Sequence, residues 1–123
     1  MAERKPESGE LPDHITAVLD KFEGTKRRDL IQFIRYFYSQ LNVMTVDEDL
    51  MSRVIVPNIE LIIDNNGLSR EDFISLLEWT GFEVNYEDGS WEFSSIYTQN
   101  FVNMPIFRNI LLITKYLKEN AKS

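Results

Sequence analysis

Residues 69–94 read SREDFISLLEWTGFEVNYEDGSWEFS and hold both tryptophans of the chain. Ser69 and Asp72 stand at capping-box spacing, with Asp in the place usual for Glu or Gln, so the Ser oxygen can accept from the N–H of residue 72. Glu71 and Asp72 fall in the first turn, where the positive end of the helix dipole favours them. Phe73, Leu76, Leu77 and Thr80 follow i, i+3, i+4, i+7 spacing, and Ile74 widens the stripe. Gly81 falls at the left-handed position that ends a helix. Beyond it Phe82, Val84 and Tyr86 alternate with Glu83, Asn85 and Glu87, the period of a strand. Asp88-Gly89 suits the two positive-φ positions of a type I′ turn. Closing on that turn pairs Glu87 with Ser90, Tyr86 with Trp91, Asn85 with Glu92 and Val84 with Phe93. One face is then aromatic and apolar, and the other acidic and polar. A lone two-stranded hairpin is marginal in water, so the apolar face must pack on helices. Tyr86 and Trp91 therefore read as core-edge packing, with an exposed partner-binding aromatic patch as the sharper alternative.

Upstream, residues 1–10 are polar and form a lead outside the folded domain, which spans 11–120. Pro12 suits a first helical position, and Leu11, Ile15, Val18, Leu19 and Phe22 give a short amphipathic helix over about 12–22. Glu23-Gly24 ends it. A second helix covers about 26–41, with Leu30, Ile34, Phe37 and Leu41 on its centre line. Ile31, Phe33 and Tyr38 widen the apolar arc to about 160°, which predicts a central helix touching several neighbours. Tyr36 points away from that arc. Lys26, Arg27 and Arg28 sit in the first turn, against the helix dipole. Such a triplet is either a solvated helix start or a contact for an anionic partner.

Thr45 and Glu48 match a capping box ahead of Leu50, Met51, Val54 and Ile55. Pro57 then either kinks this helix or starts a new one. Ile59, Ile62 and Ile63 carry the pattern to Asp64, and Asn65-Asn66-Gly67 is a helix stop rather than a calcium loop. Residues 94–104 predict a crossing loop or a third strand. A last helix covers about 105–119, with Asn103 near its cap and Ile106, Phe107, Ile110, Leu111, Ile113, Thr114 and Leu117 in a wide stripe. The expected fold is mainly α: a bundle of about five helices with one β-hairpin, about 82–94, packed at its edge.

The chain is 43% hydrophobic with a net charge of −7, ordinary values for a globular domain. The charge is unevenly spread. Residues 43–105 carry twelve acids against Arg53 and Arg70 alone, while residues 1–42 are neutral and 106–123 slightly basic. Seven of those twelve acids lie in 69–94 (Glu71, Asp72, Glu78, Glu83, Glu87, Asp88, Glu92). With no cysteine and only His14, Cys/His zinc sites and a cysteine nucleophile are excluded within one chain. His14, in a first turn beside Asp13, reads as a surface residue. No nucleotide-binding or hydrolase motif occurs, so no cofactor, no metal and no enzymatic activity is expected. No apolar run approaches membrane length and no signal sequence is visible, which predicts a cytoplasmic protein.

Helix 69–81 following three helices and preceding a hairpin resembles a winged helix, whose recognition helix stands just before its wing. That resemblance implies DNA contact through this face. Here the helix exposes Arg70, Glu71, Asp72, Ser75 and Glu78, and the wing exposes Glu83, Glu87, Asp88 and Glu92, so phosphates would be repelled. Residues 70–93 are also similar to HicA-type mRNA interferase toxins, in which a helix ends in Gly-Phe, a strand follows and a later Gly-Ser-His holds the catalytic histidine. Gly81-Phe82 and Gly89-Ser90 match. Trp91 stands where that histidine would be, so the similarity implies no catalysis here.

The leading expectation is a non-enzymatic protein–protein interaction module, an adaptor, small subunit or inhibitory regulator. It would meet a basic partner through Glu78, Glu83, Tyr86, Glu87, Asp88, Trp91 and Glu92. The alternative is a winged-helix nucleic-acid-binding regulator using Lys26, Arg27, Arg28 and Arg35, although nucleic acid is the less favoured partner. A third expectation is a homo-oligomer, because the wide arcs of the second and last helices exceed what one domain buries.

Overall fold

The computed structural model of the chain describes residues 11–41, 47–93 and 104–119. The expected lead over 1–10, the cap at Thr45, the segment after Phe93 and the cap at Asn103 lie outside them. The helices are α1 (Asp13–Leu19), α2 (Thr25–Leu41), α3 (Glu48–Leu50), α4 (Val56–Asn65), α5 (Arg70–Thr80) and α6 (Met104–Glu119). A π-helical turn at Met51–Ile55 joins α3 to α4, so 48–65 is one continuous helical run and the described residues form five helical rods. Strands β1 (Val84–Glu87) and β2 (Ser90–Phe93) form an antiparallel hairpin. None of the described helices is long and apolar enough to cross a membrane.

The π turn answers the question set by Pro57. Proline has no N–H to bond the carbonyl four residues back, and its ring crowds that carbonyl. The helix widens just before it, with the Val56 N–H bonding the Met51 carbonyl five residues back. The run is thus carried through Pro57 rather than restarted at it. Its N-terminus is capped by Asp47, which accepts from the N–H groups of Asp49 and Leu50 at 3.1 and 3.2 Å.

The 69–93 element forms as its local chemistry dictates. The Ser69 Oγ accepts from the Asp72 N–H at 3.0 Å, and the Asp72 carboxylate accepts from the Ser69 N–H at 3.4 Å, a reciprocal capping box. At the other end Gly81 has φ +126°, with its N–H on Glu78 O and the Phe82 N–H on Leu77 O, the paired bonds of a Schellman stop. The Asn109 amide, from α6, donates to the carbonyls of Trp79 and Thr80 at 3.2 and 3.1 Å. The last carbonyls of α5 are therefore satisfied by the helix it packs on. Asp88 and Gly89 have φ +52° and +81°, as a type I′ turn requires. The register pairs Val84 with Phe93, Asn85 with Glu92, Tyr86 with Trp91 and Glu87 with Ser90.

Helix α5 is the hub, lying against α1, α6 and β1, while α2 packs on α6. The wide arc of α2 is absorbed inside the domain: Leu30, Ile31, Phe33, Ile34, Phe37 and Leu41 are all buried. Phe33 stacks on Phe37 (ring centroids 5.5 Å) and meets Phe73 of α5 at 6.0 Å. Phe37 in turn stands edge-on to Phe82 (4.8 Å) and Phe93 (5.0 Å), which seats the hairpin on α2. The arc of α6 is only partly absorbed. Ile106, Ile110, Ile113 and Leu117 are buried, but Phe107 and Leu111 are 54% and 51% exposed.

Gly81 and Gly89 make a matched pair for testing this junction. A Cβ on Gly89 meets nothing, whereas one on Gly81 would collide with the Ile106 side chain. Gly89→Ala should cost about 1–2 kcal/mol from the left-handed backbone alone. Gly81→Ala should cost about 1–3 kcal/mol more, because α5 and α6 must separate. Urea-denaturation midpoints of the two variants at equal slope measure the difference.

Candidate functional site

The hairpin has two faces with different fates. On the inner face Trp91 is buried (9% exposed) and Val84, Tyr86 and Phe93 are half-buried. On the outer face Glu83, Asn85, Glu87, Asp88, Ser90 and Glu92 are exposed, as is Glu78 on α5. This alternation follows from the strand period and the need of a two-stranded sheet to cover one side.

The expected aromatic anchor needs correcting. Trp91 stacks on Phe93 (6.0 Å) and touches Tyr86 (4.8 Å), and its indole Nε1 donates to Glu60 Oε2 at 2.8 Å. It is a packing residue with its single polar handle already engaged. Tyr86 is half-covered, with the Arg70 guanidinium 5.1 Å over its ring. The exposed outer face of the hairpin is carboxylate, not aromatic.

Glu60, which nothing in its neighbourhood of sequence singles out, ties this corner together. Besides Trp91 it accepts from Arg70 through both oxygens, at 2.9 Å (Nη2 to Oε1) and 3.3 Å (Nε to Oε2). The fork-to-fork geometry is that of a bidentate Arg–carboxylate pair. Partial burial pushes the Glu60 carboxyl up. The hydrogen bonds from Trp91 and Arg70, with the charge of Arg70, outweigh this and hold it below its ordinary value. The Glu60 hydrogen bond and charge also raise Arg70 above its ordinary value.

The alternative basic patch is split by the fold. The Lys26 Nζ donates to the Asn65 carbonyl at 2.9 Å, at the C-terminus of α4. The Arg27 guanidinium donates to the carbonyls of Phe22 (2.9 Å) and Leu117 (3.1 Å), the latter at the C-terminus of α6. Two cations that oppose their own helix dipole thus serve the negative ends of two others. Arg28 and Arg35 are exposed. Two of the four predicted residues thus hydrogen-bond to helix-terminal carbonyls, Lys26 from an exposed position and Arg27 from a half-buried one.

Three acids outside the hairpin form ion pairs among the described residues. Asp72 pairs with Lys21 (3.4 Å), Asp49 with Arg53 (3.2 Å) and Glu60 with Arg70. Glu78, Glu83, Glu87, Asp88 and Glu92 enter no ion pair among the described residues. Beside the outer face runs an open groove of about 780 Å³, lined by Glu48, Met51, Ser52 and Val56 on one side and by Glu83–Asn85 and Gly89–Phe93 on the other. No cluster of three or more His, Cys, Asp or Glu able to hold a metal occurs among the described residues.

The Glu60 cluster predicts a pH signature. A carboxyl held below its ordinary value contributes stability that is complete above 4.5 and is lost as pH falls through the depressed folded value. Glu60→Gln keeps an acceptor for Trp91 but removes the charge. The urea midpoint of wild type should exceed that of Glu60→Gln at neutral pH, and the gap should close as pH falls below 4.5. A gap constant down to pH ~3 would show that charge is not the source.

No protein-family profile, no curated protein and no solved structure matches this chain.

Proposed function

We propose that this chain is a non-enzymatic interaction module, an adaptor, small subunit or inhibitory regulator, whose acidic hairpin face binds a basic protein. One observation carries this reading. Glu83, Glu87, Asp88 and Glu92 project from the outer face of the hairpin with no ion pair among the described residues, and residues 71–105 contain no lysine or arginine. Fixed, uncompensated carboxylates at a surface steer a basic partner and select its register. They also repel nucleic-acid phosphates. A face that presents carboxylates where phosphates would lie suits an inhibitor covering a nucleic-acid-binding protein.

The support is electrostatic, so the test is too. The full chain is used to capture its partner from the source cells, and the purified pair is titrated over a salt series. Affinity should fall as ionic strength rises. Changing Glu83, Glu87 and Glu92 together to Lys should weaken binding by about a hundredfold or more, in the range measured for close interfacial charge pairs. The exposed pair Arg28→Glu, Arg35→Glu should leave it unchanged. Unaltered affinity in the folded triple variant removes the acidic-face reading.

A further inference from the structure

The hairpin presents a second feature besides its charge. A two-residue turn makes Glu87 and Ser90 a hydrogen-bonded pair, and pairs alternate along an antiparallel ladder. Asn85–Glu92 is then hydrogen-bonded, whereas Tyr86–Trp91 and Val84–Phe93 are not. The N–H and C=O groups of Trp91 and Phe93 therefore point away from β1, along the opposite edge of β2. None of them has another hydrogen-bonding partner among the described residues. β1 lies against α5, while every residue of β2 lines the groove of about 780 Å³. A strand edge with no partner among the described residues, beside an open groove, is a template for another strand.

We infer that this groove receives an extended segment of the basic partner, which adds to β2 as a third strand; the inference rests on the acidic-face reading above. Backbone bonds to Trp91 and Phe93 supply the pairing, and alternate side chains supply selectivity. The four residues of β2 span ~13 Å, enough to pair with a segment of about the same length. Side chains of the added strand on the Trp91 and Phe93 side meet Met51 and Val56, an apolar floor. Those on the other side lie beside Glu92, with Glu83 and Glu48 on the rim. The segment that fits alternates apolar and basic residues. A second copy of this chain fits poorly, because it would bring Glu48, Glu83 and Glu92 against the same like charges.

The probe is the synthetic peptide acetyl-Lys-Val-Lys-Val-Lys-Val-Lys-amide, titrated into the full chain while amide hydrogen exchange is followed. Binding should slow exchange at Trp91 and Phe93. Methylating the backbone nitrogens of alternate peptide residues should weaken binding at least ~tenfold in one phase and leave it within ~twofold in the other, because only one set of N–H groups faces β2. Glu48→Lys with Glu92→Lys should weaken the unmodified peptide at least ~tenfold. Loss on charge reversal with indifference to N-methylation overturns strand addition while the acidic face stands. Sensitivity to one methylation phase with indifference to charge reversal supports strand addition and removes the acidic-face reading. No binding at millimolar peptide overturns the inference. A doubled mass with Trp91 and Phe93 already protected in the free protein overturns it in favour of self-pairing.

Discussion

A two-stranded hairpin buries too little surface to stand by itself, and the character of this protein depends on how one is seated. Phe37, wholly buried in α2, takes Phe82 and Phe93 edge-on, one from the entry to the hairpin and one from its far strand. Phe33, one turn away, stacks on Phe37 and reaches Phe73. Each such aromatic pair adds about 0.5–1.5 kcal/mol beyond the area it buries. The breadth of the apolar arc on α2 follows from this duty, since the helix must face α6, α5 and the hairpin together. Glu60 fastens the same inner face by accepting from the Trp91 indole and the Arg70 fork. The hairpin is thus held by rings at its base and by a charge-assisted bond on its inner face.

The same packing explains the surface charge. The chain has few cations in its middle, and the fold spends those nearby on structure. Lys26 and Arg27 close the carbonyl ends of α4 and α6, Lys21 meets Asp72, and Arg70 is held by Glu60. Glu83, Glu87, Asp88 and Glu92 of the outer hairpin face enter no ion pair among the described residues. An acidic surface in a protein of net charge −7 is common. An acidic surface bordering a groove that also holds Met51 and Val56 is a more particular object.

Some of this was written locally. The Ser69–Asp72 box, the Gly81 stop, the Asp88-Gly89 turn and the strand register need only neighbours in sequence, because capping, positive φ and a period of two act within a few residues. The basic triplet at the start of α2 also carried a readable signal, a mismatch with its own dipole, whose resolution lies at the C-termini of distant helices. Glu60 carried none: it sits 31 positions from Trp91 and 10 from Arg70, and nothing around it marks a bidentate ion pair. Trp91 shows the limit most clearly. Alternation correctly assigned it to the inner face, but alternation says which way a side chain points, not how deeply the neighbouring helix covers it.

The sequence by itself therefore determined most of the elements, the two ends of α5, the pairing of the hairpin and the sign of its outer face, all of which depend on short-range backbone chemistry and on residue type. Tertiary structure alone decided that Pro57 sits in a continuous helical run, because the π turn adapts the backbone around it. It alone covered Trp91 and placed Lys26 and Arg27 against the carbonyl ends of α4 and α6, because those partners come from helices far along the chain. And it alone opened a groove along the edge of β2, because the distance between a strand and a helix is set by what packs beneath them.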